Sequence, residues 1–333
     1  MVRVAVVILN WNGEKLLKEY LPSVVKYTNS EIGRVVVVDN ASEDASVDWV
    51  RQTYPQVEVV CFDCNYGFAG GYNKAIELIK DEIVVLLNSD VEVAENWLEP
   101  LVAMLDTDPM IAAVQPKIKA WKNKTTFEYA GACGGFIDRL GFPFCRGRIL
   151  DVVEEDKGQY NQDIEVFWCS GAAFCVRREV YLKAGGLDER FFAHMEEIDL
   201  CWRIRNSGKS LHVCTDSVVY HLGGGSLPMN HPRKLFLNYR NNLLMLYKNL
   251  SSSDWRRVKL QRNVLDFMAM MVFLLKGEWK NVCSIIQAYR EFHVMKKEYN
   301  PNNQSHYDQC IYPGSIIFQY YLKRIRRFSD LWK

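Results

Sequence analysis

Runs of Val, Ile and Leu alternate with segments of helical period along the first 90 residues. Four strand-like runs occur there: VRVAVVILN, RVVVVDN, VEVVCFD and EIVVLLN. The segments between them predict helices that begin at Glu14, Ser42 and Ala69. Continuous apolar runs are typical of strands that are covered on both faces, as in a parallel sheet. The alternation therefore predicts an α/β fold in which a Rossmann-like, mostly parallel sheet is flanked by helices.

Each of these four strands is followed by polar residues at its carboxyl end. Ligands of open α/β sheets bind beyond the carboxyl ends of the strands, so these loops are expected to meet at one crevice. The residues that we predict to line this crevice are Asn10, Asn12, Asp39, Asn40, Asn65, Asn88 and Asp90.

The pattern changes after residue 110 and again after Pro228. Shorter strand-like runs and scattered glycines fill residues 111–190, and a helical period returns at 195–206. Beyond Pro228 the sequence predicts helices at 232–249, 254–275 and 278–297, and a basic terminal helix from Ser315. The chain is expected to divide into residues 1–110, residues 111–227 and a helical C-terminal extension, 228–333.

Composition adds a charge asymmetry to this picture. Apolar residues make up 49% and charged residues 24% of the 333 residues, which is typical of a globular protein. Residues 251–333 hold 14 Lys and Arg against 7 Asp and Glu. This excess favours contact with an anionic surface such as phospholipid or a phosphorylated substrate, although a solvated helical face explains it equally well. The sequence shows no secretory signal and no transmembrane stretch, so we expect a cytoplasmic protein.

The segment LLNSDVEV at 86–93 is a candidate cation site. Asp90 follows a buried strand, and Mg²⁺ or Mn²⁺ can bridge one carboxylate to a substrate diphosphate. The alternative is that Asn88 and Asp90 form only a turn or a helix cap. His221 ends the run SVVYH, and a lone histidine is more often structural unless a second ligand such as Asp90 lies beside it.

Two other strand ends are candidates for nucleotide contacts. Asp39 in VVVDNASEDAS is placed to accept a hydrogen bond from a base or ribose, or else to form an Asx-turn. The glycines of NYGFAGGYN at 65–73 surround a predicted helix start, which favours an anion or only a tight turn. Neither a GxGxxG fingerprint nor a P-loop is present, which argues against an NAD-dependent oxidoreductase.

An acidic cluster lies in FFAHMEEIDLCWRIRNSG at 191–208. In a helix, Glu196 and Asp199 share a face and Glu197 projects beside them. A carboxylate buried at an apolar helix start has a raised pKa, which suits a base that deprotonates an acceptor hydroxyl. The alternative is that Arg203 and Arg205 only neutralise the cluster.

Seven segments together carry a family resemblance, in this order: VVILNWNG, VVVDNASEDAS, NYGFAGGYN, LLNSDVEV, CSGAAFCVRRE, GGLDERFFAHMEEIDLCWR and VVYHLGGGS. In order and spacing they resemble the family-2 glycosyltransferases of GT-A fold, especially the bacterial rhamnosyltransferase-like branch that builds surface polysaccharides. The resemblance covers roughly residues 4–226. It implies that residues 1–110 bind a nucleotide diphosphate sugar and that residues 111–227 form the acceptor side.

The resemblance also implies an inverting transfer, in which a base activates the acceptor and Mg²⁺ or Mn²⁺ steadies the departing diphosphate. By position, Asp90 would bind the metal with a further contact from His221, and Asn88 stands where many relatives have the first Asp of a DxD pair. The family's usual base is the Asp of a Glu-Asp pair, whereas this chain has Glu196-Glu197. Glu197 is the aligned candidate, and Glu196 and Asp199 remain alternatives.

The remaining site residues follow from the same positions. Asp39 would contact the base or ribose, and the other expected donor-binding residues are Asn10, Asn12, Asn65, Gly67, Asn73, Asn88 and Asp90. Arg177, Arg178 and Arg240 are expected to shape the acceptor side or to contact phosphate, with surface ion pairs as the alternative.

The specificity and the partners are left as alternatives. Rhamnose is the favoured sugar, a galactofuranosyl or hexosyl donor is the nearest rival, and a catalytically silent nucleotide-sugar-binding subunit is the rival of another class. The acceptor is expected to be a glycan or a lipid-linked glycan, and no nucleic-acid partner is expected. The segments VLDFMAMMVFLLKGEWK and IIFQYYLKRIRRF suit an anionic membrane at the inner face of the cell, and equally a helical cap or a homodimer surface.

Overall fold

A computed structural model describes residues 3–223, 231–300 and 310–331. Strands and helices alternate through residue 107, as the sequence predicts. They are β1 (Val4–Asn10), α1 (Glu14–Tyr27), β2 (Gly33–Asp39), α2 (Ser46–Thr53), β3 (Glu58–Cys61), α3 (Gly67–Leu78), β4 (Ile83–Leu87), β5 (Val91–Val93) and α4 (Glu99–Thr107). Helix α2 begins later than predicted because Ser42 lies in a turn, where its backbone N–H donates to the Asp39 carboxylate.

Short strands and two helices make up the middle of the chain. They are β6 (Ile111–Ala120), β7 (Asn123–Phe127), β8 (Gly135–Asp138), β9 (Pro143–Cys145), β10 (Arg148–Ile149), β11 (Val152–Val153), β12 (Ile164–Val166), β13 (Ala173–Arg177), α5 (Arg178–Lys183), α6 (Glu196–Asn206) and β14 (Ser210–His221). The predicted boundary after residue 110 falls just before β6. The predicted boundary at 227/228 lies outside the described residues.

The C-terminal part contains α7 (Pro232–Asn249), α8 (Ser252–Leu275), α9 (Trp279–Met295), β15 (Ile311–Tyr312) and α10 (Ile316–Tyr321). The three long helices agree with the predicted ones within three residues at each end. Strand β15 pairs in parallel with β8, so this region also completes a five-stranded sheet of order β11-β10-β9-β8-β15. The basic residues after Tyr321 lie outside α10, which is shorter than the sequence predicts. No helix in the described ranges is long and apolar enough to cross a membrane.

The main sheet has ten strands, eight of them in the order β12-β14-β6-β13-β4-β1-β2-β3. Strands β4, β1, β2 and β3 are parallel, as predicted, whereas β13 runs antiparallel between β4 and β6. The sheet is therefore mixed. Because β13 is reversed, its first residue Ala173 pairs with Leu87 at the carboxyl end of β4. The start of β13 thus joins the edge at which the parallel strands end.

Alternate residues of the apolar strands pack on opposite faces of this sheet. Val4, Val6 and Ile8 contact the core beneath α1, α2 and α4. Ala5 and Val7 contact the other core, which includes α3 and the C-terminal helices. Since both faces are covered, the strands need apolar side chains at every position.

Candidate active site

Polar side chains connect the ends of β1 and β2. The Asn10 side-chain amide donates to the Asp39 carboxylate at 2.9 Å and to the Ser46 hydroxyl at 2.8 Å. Asn12 accepts from the backbone N–H of Glu43 at 2.8 Å. Asn10 and Asp39 are buried, so their hydrogen bonds hold the two loops in one arrangement. These residues lie together at the carboxyl ends of β1 and β2, where the sequence predicts a ligand crevice.

A second set of amides connects the end of β2 to the start of α3. The Asn40 amide donates to the Asn65 side chain at 2.9 Å and to the Gly67 carbonyl at 3.0 Å. Asn65 in turn accepts from the backbone N–H of Gly67, which has a φ of 70°. A left-handed residue at a helix start favours glycine, because other side chains are strained there. Asn65 and Gly67 therefore shape the turn that borders the crevice.

Asn73 lies elsewhere than the sequence predicts. Its side chain accepts from the Leu187 N–H at 2.9 Å and from the Tyr181 hydroxyl at 2.7 Å, and it donates to the Leu187 carbonyl at 2.9 Å. Both ends of the amide are thus engaged by the segment that precedes α6. The structure gives Asn73 the role of positioning that segment rather than that of contacting a donor.

The Asp90 carboxylate lies beside His221, although 131 positions separate the two residues in the chain. Strand β5 pairs with the end of β14, and this brings His221 Nε2 to 3.2 Å from Asp90 Oδ1. Glu128 lies on the other side of the ring, with Oε1 3.6 Å from His221 Nδ1. All three side chains are largely buried.

The neighbouring charges shift the pKa values of His221 and Asp90. Burial acts to lower the pKa of His221, but the Asp90 and Glu128 carboxylates outweigh it and raise the pKa to about 10. Burial acts to raise the pKa of Asp90, and the neighbouring His221 outweighs it and lowers the pKa below its ordinary value. The Asp90 carboxylate is therefore ionised at neutral pH.

Asp90 and His221 are two candidate ligands of a divalent cation, although the 3.2 Å contact between Asp90 Oδ1 and His221 Nε2 is an ion pair in which the imidazole keeps its proton. A cation that binds to His221 would have to displace this proton, because a metal is bound by the neutral imidazole. The part of the chain that the structure describes contains no group of three or more His, Cys, Asp or Glu that could hold a metal. Asn88 lies at the same strand end, and its buried carbonyl oxygen has no partner among the described residues. Substrate oxygens are thus needed to complete the coordination of any cation bound here.

Glu197 lies at the same edge as Asn88 and Asp90. The Asn88 N–H donates to the Ala172 carbonyl at 3.0 Å, and a Cβ atom at the adjacent Gly171 would lie 3.8 Å from Glu197 Cβ. Oε2 of Glu197 is buried and has no hydrogen-bond partner in the described ranges. Burial raises the pKa of the Glu197 carboxyl above its ordinary value. Such a carboxyl is a stronger base than an exposed one.

The two other acidic candidates have different surroundings. Glu196 is buried, and its Oε2, like that of Glu197, has no hydrogen-bond partner in the described ranges. Burial together with the neighbouring Glu197 raises the pKa of Glu196 well above the ordinary value. Asp199 is fully buried and accepts from Arg203, from Lys248 Nζ at 2.8 Å and from the Asn249 amide at 2.9 Å. Both oxygens of Asp199 are therefore paired. This carboxylate joins α6 to α7, and its pairing disfavours Asp199 as the catalytic base.

The loop before α6 has an unusual backbone. Phe192, His194 and Met195 have φ angles of 67°, 70° and 75°, a region that residues other than glycine rarely adopt. The side-chain amide of Asn241 on α7 lies 2.9, 2.8 and 2.8 Å from the carbonyl oxygens of Phe191, Ala193 and His194. Such backbone strain persists only where surrounding contacts hold it, and Asn241 supplies these contacts.

The three predicted arginines do not meet at the candidate site. Arg177 and Arg178 lie at the opposite edge of the sheet, beyond the amino end of β4, where they donate to main-chain carbonyls. Arg240 is buried and donates to the Phe191 carbonyl at 3.0 Å and to Glu291 at 3.1 Å. Protein oxygens already engage these guanidinium groups, which disfavours the expected contact with acceptor or phosphate.

Sequence reasoning missed two residues that the structure places around the site: Glu128 and Asn241. Neither carried a signal in the sequence, because their roles depend on contacts with residues 93 and 47 or more positions away. Only the fold brings these partners together.

Comparison with known proteins provides an independent line of information. The family model described as Glycosyl transferase family 2 matches residues 5–183. N-acetylglucosaminyl-diphospho-decaprenol L-rhamnosyltransferase of Mycobacterium tuberculosis is 24% identical over 278 residues, which cover 78% of this chain and 88% of that protein. Rhamnosyltransferase WbbL of Escherichia coli is 21% identical over 63% of this chain and 79% of its own length. The hexosyltransferase Agl10 of low-salt glycan biosynthesis in Haloferax volcanii is 22% identical over 72% of this chain and 74% of that protein.

Solved structures are similar in fold. GalNAc-T7 with UDP, GalNAc and Mn²⁺ has a TM-score of 0.59 and 17% identity, covering 90% of this chain but only 58% of that chain. Staphylococcus aureus TarS 1-349 with UDP-GlcNAc has a TM-score of 0.58 and 15% identity, covering 87% and 80% of the two chains. Mannosyltransferase PcManGT of Pyrobaculum calidifontis, with GDP-Man and Mn²⁺, has a TM-score of 0.54 and 16% identity over 88% and 75%. These similarities confirm the predicted GT-A fold.

Proposed function

Since this chain belongs to glycosyl transferase family 2, within its rhamnosyltransferase-like branch, we propose that it transfers a sugar from a nucleotide diphosphate donor to an acceptor hydroxyl with inversion at the anomeric carbon. Rhamnose is the favoured sugar, and the product is part of a cell-surface polysaccharide. One observation supports the chemistry above all: Glu197, whose buried Oε2 has no hydrogen-bond partner in the described ranges, lies near Gly171, next to the strand end that holds Asn88.

Glu197 acts as the base in this proposal. Its carboxylate takes the proton of the acceptor hydroxyl while the acceptor oxygen forms a bond to the anomeric carbon. The bond between that carbon and the diphosphate oxygen breaks, and its electron pair leaves with the diphosphate. One displacement inverts the configuration and needs no covalent intermediate. The raised pKa of Glu197 favours proton uptake from a weakly acidic hydroxyl.

The strand ends form the donor side. Asn10, Asn12 and Asp39, with Asn65 and Gly67, form the walls against which the nucleotide binds, and their mutual hydrogen bonds keep the walls in place before binding. Asp90 and His221 would hold Mg²⁺ or Mn²⁺, with Asn88 beside them. When bound, such a cation offsets the negative charge of the leaving diphosphate.

The acceptor in this proposal is a glycan that is attached to a lipid diphosphate. The name of the M. tuberculosis relative states that it acts on a decaprenol-linked diphosphate sugar. We propose that this chain works in the cytoplasm, at the inner face of the cell membrane, where such acceptors are made. A galactofuranosyl or hexosyl donor is the alternative within the class.

The first experiment is a donor panel. Purified protein is incubated with nucleotide diphosphate sugars, with and without Mg²⁺ or Mn²⁺, and both donor binding and release of nucleoside diphosphate are measured. Metal-dependent release from one donor supports the proposal and identifies the sugar. Release from a galactofuranose or hexose donor instead of a rhamnose donor would replace the favoured sugar by its rival.

Glu197→Gln distinguishes the enzyme from a silent subunit. The variant is expected to bind donor and to release no product, while Glu196→Gln serves as the neighbouring control. Binding without release by the wild-type protein, with lipid-linked acceptors present, would show a catalytically silent nucleotide-sugar-binding subunit. Absence of binding to every donor would contradict the proposed donor side.

A further inference from the structure

Helix α8 is apolar on the face that it turns away from the protein. Its inner face carries Trp255, Val258, Arg262 and Asp266, which are buried. The outer face, which we call the α8 stripe, consists of seven residues that are 41–85% exposed: Leu260, Val264, Phe267, Met268, Met271, Val272 and Leu275. These positions recur at helical spacing, so they form one continuous row along the helix. Single exposed apolar residues are normal, but a row of seven is not.

The dimensions of the stripe suit a surface rather than a pocket. At 1.5 Å per residue, the stretch from Leu260 to Leu275 is about 24 Å long. Trp279 is 65% exposed just beyond the Gly277 turn and extends the apolar area. No helix in the described part of the chain can span a bilayer. A partner of this stripe must therefore lie along α8.

Cationic side chains lie at both ends of the stripe. Arg256 and Arg257 are exposed before it, and Lys276 and Lys280 are exposed after it. The only acidic residue within the stretch, Asp266, is on the inner face, where it is paired with Arg262 and accepts from the Tyr289 hydroxyl at 2.7 Å. The exposed surface of this stretch is thus apolar in the middle, with two cations before it and two after it, and Glu278 is the one exposed carboxylate between Lys276 and Lys280.

A second exposed segment is anchored to the same turn as α8. Arg262 of α8 donates to the Leu140 carbonyl at 3.2 Å, and the N–H of Ile316 in α10 donates to the Asp138 carboxylate at 2.8 Å. At the end of α10 and after it come further exposed apolar and basic residues: Tyr321, Leu322, Lys323, Arg324 and Arg327. The C-terminal region therefore repeats the combination of apolar and basic exposure beside α8.

We propose that the α8 stripe docks on an anionic lipid bilayer, with its apolar side chains among the acyl chains and its terminal Lys and Arg residues against the lipid phosphates. Amphipathic helices bind in this way, parallel to the membrane plane. The apolar middle of the stripe matches the hydrocarbon layer of a bilayer, and its basic ends match the anionic headgroups.

A second copy of the chain fits the stripe less well. A two-fold dimer places the same patch on both partners. Antiparallel pairing of two α8 helices would bring Arg256 and Arg257 of one copy against Lys276 and Lys280 of the other, and like charges repel. Parallel pairing would bring each basic end against its own copy. The lipid surface meets the same positive ends with negative charge.

The docking of the α8 stripe on lipid does not depend on catalysis. Its purpose rests on the proposed function, since docking would bring the enzyme to a lipid-linked acceptor in the same bilayer. The test is flotation of the full chain with vesicles of phosphatidylcholine, with and without about 30% phosphatidylglycerol. The wild-type protein is expected to float with the anionic vesicles and to be released by high salt. A protein that stays in solution with both vesicle types would overturn the proposal.

Two double variants separate the apolar and the charged contributions. Phe267→Ser with Met271→Ser is expected to weaken partitioning by roughly tenfold or more. Lys276→Ser with Lys280→Ser should weaken it by about fivefold per charge, and only for anionic vesicles. The matched controls are Leu78→Ser, an exposed apolar side chain on α3, and Lys157→Ser with Lys183→Ser, two exposed cations. Equal flotation of stripe variants and controls would overturn the assignment to the stripe.

Two further readouts keep the outcomes distinct. Circular dichroism and donor turnover with a water-soluble acceptor are expected to be unchanged in the stripe variants, which shows that they fold. A concentration-dependent dimer in light scattering that Phe267→Ser abolishes, without vesicle binding, would identify the stripe as a contact between copies and overturn the lipid proposal. Vesicle binding by a protein that releases no product from any donor would leave the docking intact and contradict the proposed function alone.

Discussion

The donor side and the acceptor side of the candidate site are held in different ways. On the donor side, neighbouring strand ends bind each other through amides such as those of Asn10 and Asn40. On the acceptor side, a strained loop leads into α6 and depends on Asn241 of α7. The family model matches residues 5–183, which include the strand ends of the proposed donor side but not His221, Glu197 or Asn241. The donor side is thus a local construction of the sheet, whereas the acceptor side is assembled with the C-terminal helices.

Among the variants that test this difference between the two sides, Glu197→Gln is expected to have the largest effect on turnover. If Glu197 is the base, turnover falls by roughly 10²–10⁴-fold, while the donor Kd stays the same, because the amide cannot take up the proton. Initial rates of nucleoside diphosphate release and donor titrations measure the two quantities. Glu196→Gln is the matched control and keeps most of the turnover. An equal loss in both variants would show that the two carboxyls act together.

Asp90→Ala tests the donor side at the candidate cation site. We expect turnover to fall on the order of 10²-fold, and the metal-dependent part of donor binding to disappear, because the leaving diphosphate loses charge compensation. Donor titrations with and without Mn²⁺ measure this. Glu92→Gln is the control, since this nearby carboxylate accepts from Trp121 at 2.8 Å. Unchanged metal dependence in Asp90→Ala would place the cation elsewhere.

Asn241→Leu tests how the acceptor side is held. The loop before α6 loses its side-chain hydrogen bonds, so we expect kcat to fall by about tenfold while the donor KM is unchanged, and unfolding to become easier by about 1–3 kcal/mol. Steady-state kinetics and urea unfolding measure these effects.

Asn40→Leu is the counterpart of Asn241→Leu on the donor side. It is expected to raise the donor KM more than it lowers kcat, because Asn40 positions Asn65 and Gly67. If Asn40→Leu and Asn241→Leu changed kcat and the donor KM in the same proportion, the distinction between the donor side and the acceptor side would be contradicted.

The smallest expected effect concerns stability and pH. Because the pKa of Glu196 is raised in the folded protein, its burial favours folding below the ordinary value of 4.5, and this contribution is lost as pH rises through the folded pKa. Glutamine has no charge to bury, so Glu196→Gln should raise Tm by roughly 2–4 °C near neutral pH. Thermal unfolding followed from about pH 5 to about pH 8 should show the gain only toward the higher pH. A gain that is equal across this range would contradict the proposed cause.

The pattern of the chain was sufficient for the parallel part of the sheet. Three features of the sequence are local: strands that are apolar on both faces, helices with a period of 3.6 residues, and polar residues at strand ends. Each can be recognised within about ten residues. They predicted the parallel strands, and the resemblance of seven segments predicted the GT-A class. The donor role of Asn10, Asp39, Asn65 and Asp90 stays a prediction. The reversed direction of β13 was not readable, because an apolar strand has the same pattern in either direction.

The acceptor side needed the tertiary structure. Helical spacing places Glu196, Glu197 and Asp199 close together, but partners from α7 decide that Asp199 is paired and Glu197 is not. The pairing of β5 with β14 brings His221 to Asp90, and carbonyls of other segments engage Arg177, Arg178 and Arg240. The sequence by itself determined which residues have suitable chemistry and which secondary structure they occupy. Which of them meet, and which are already satisfied by a partner, was decided by contacts between distant segments, because hydrogen bonding and desolvation depend on neighbours that only the folded chain provides.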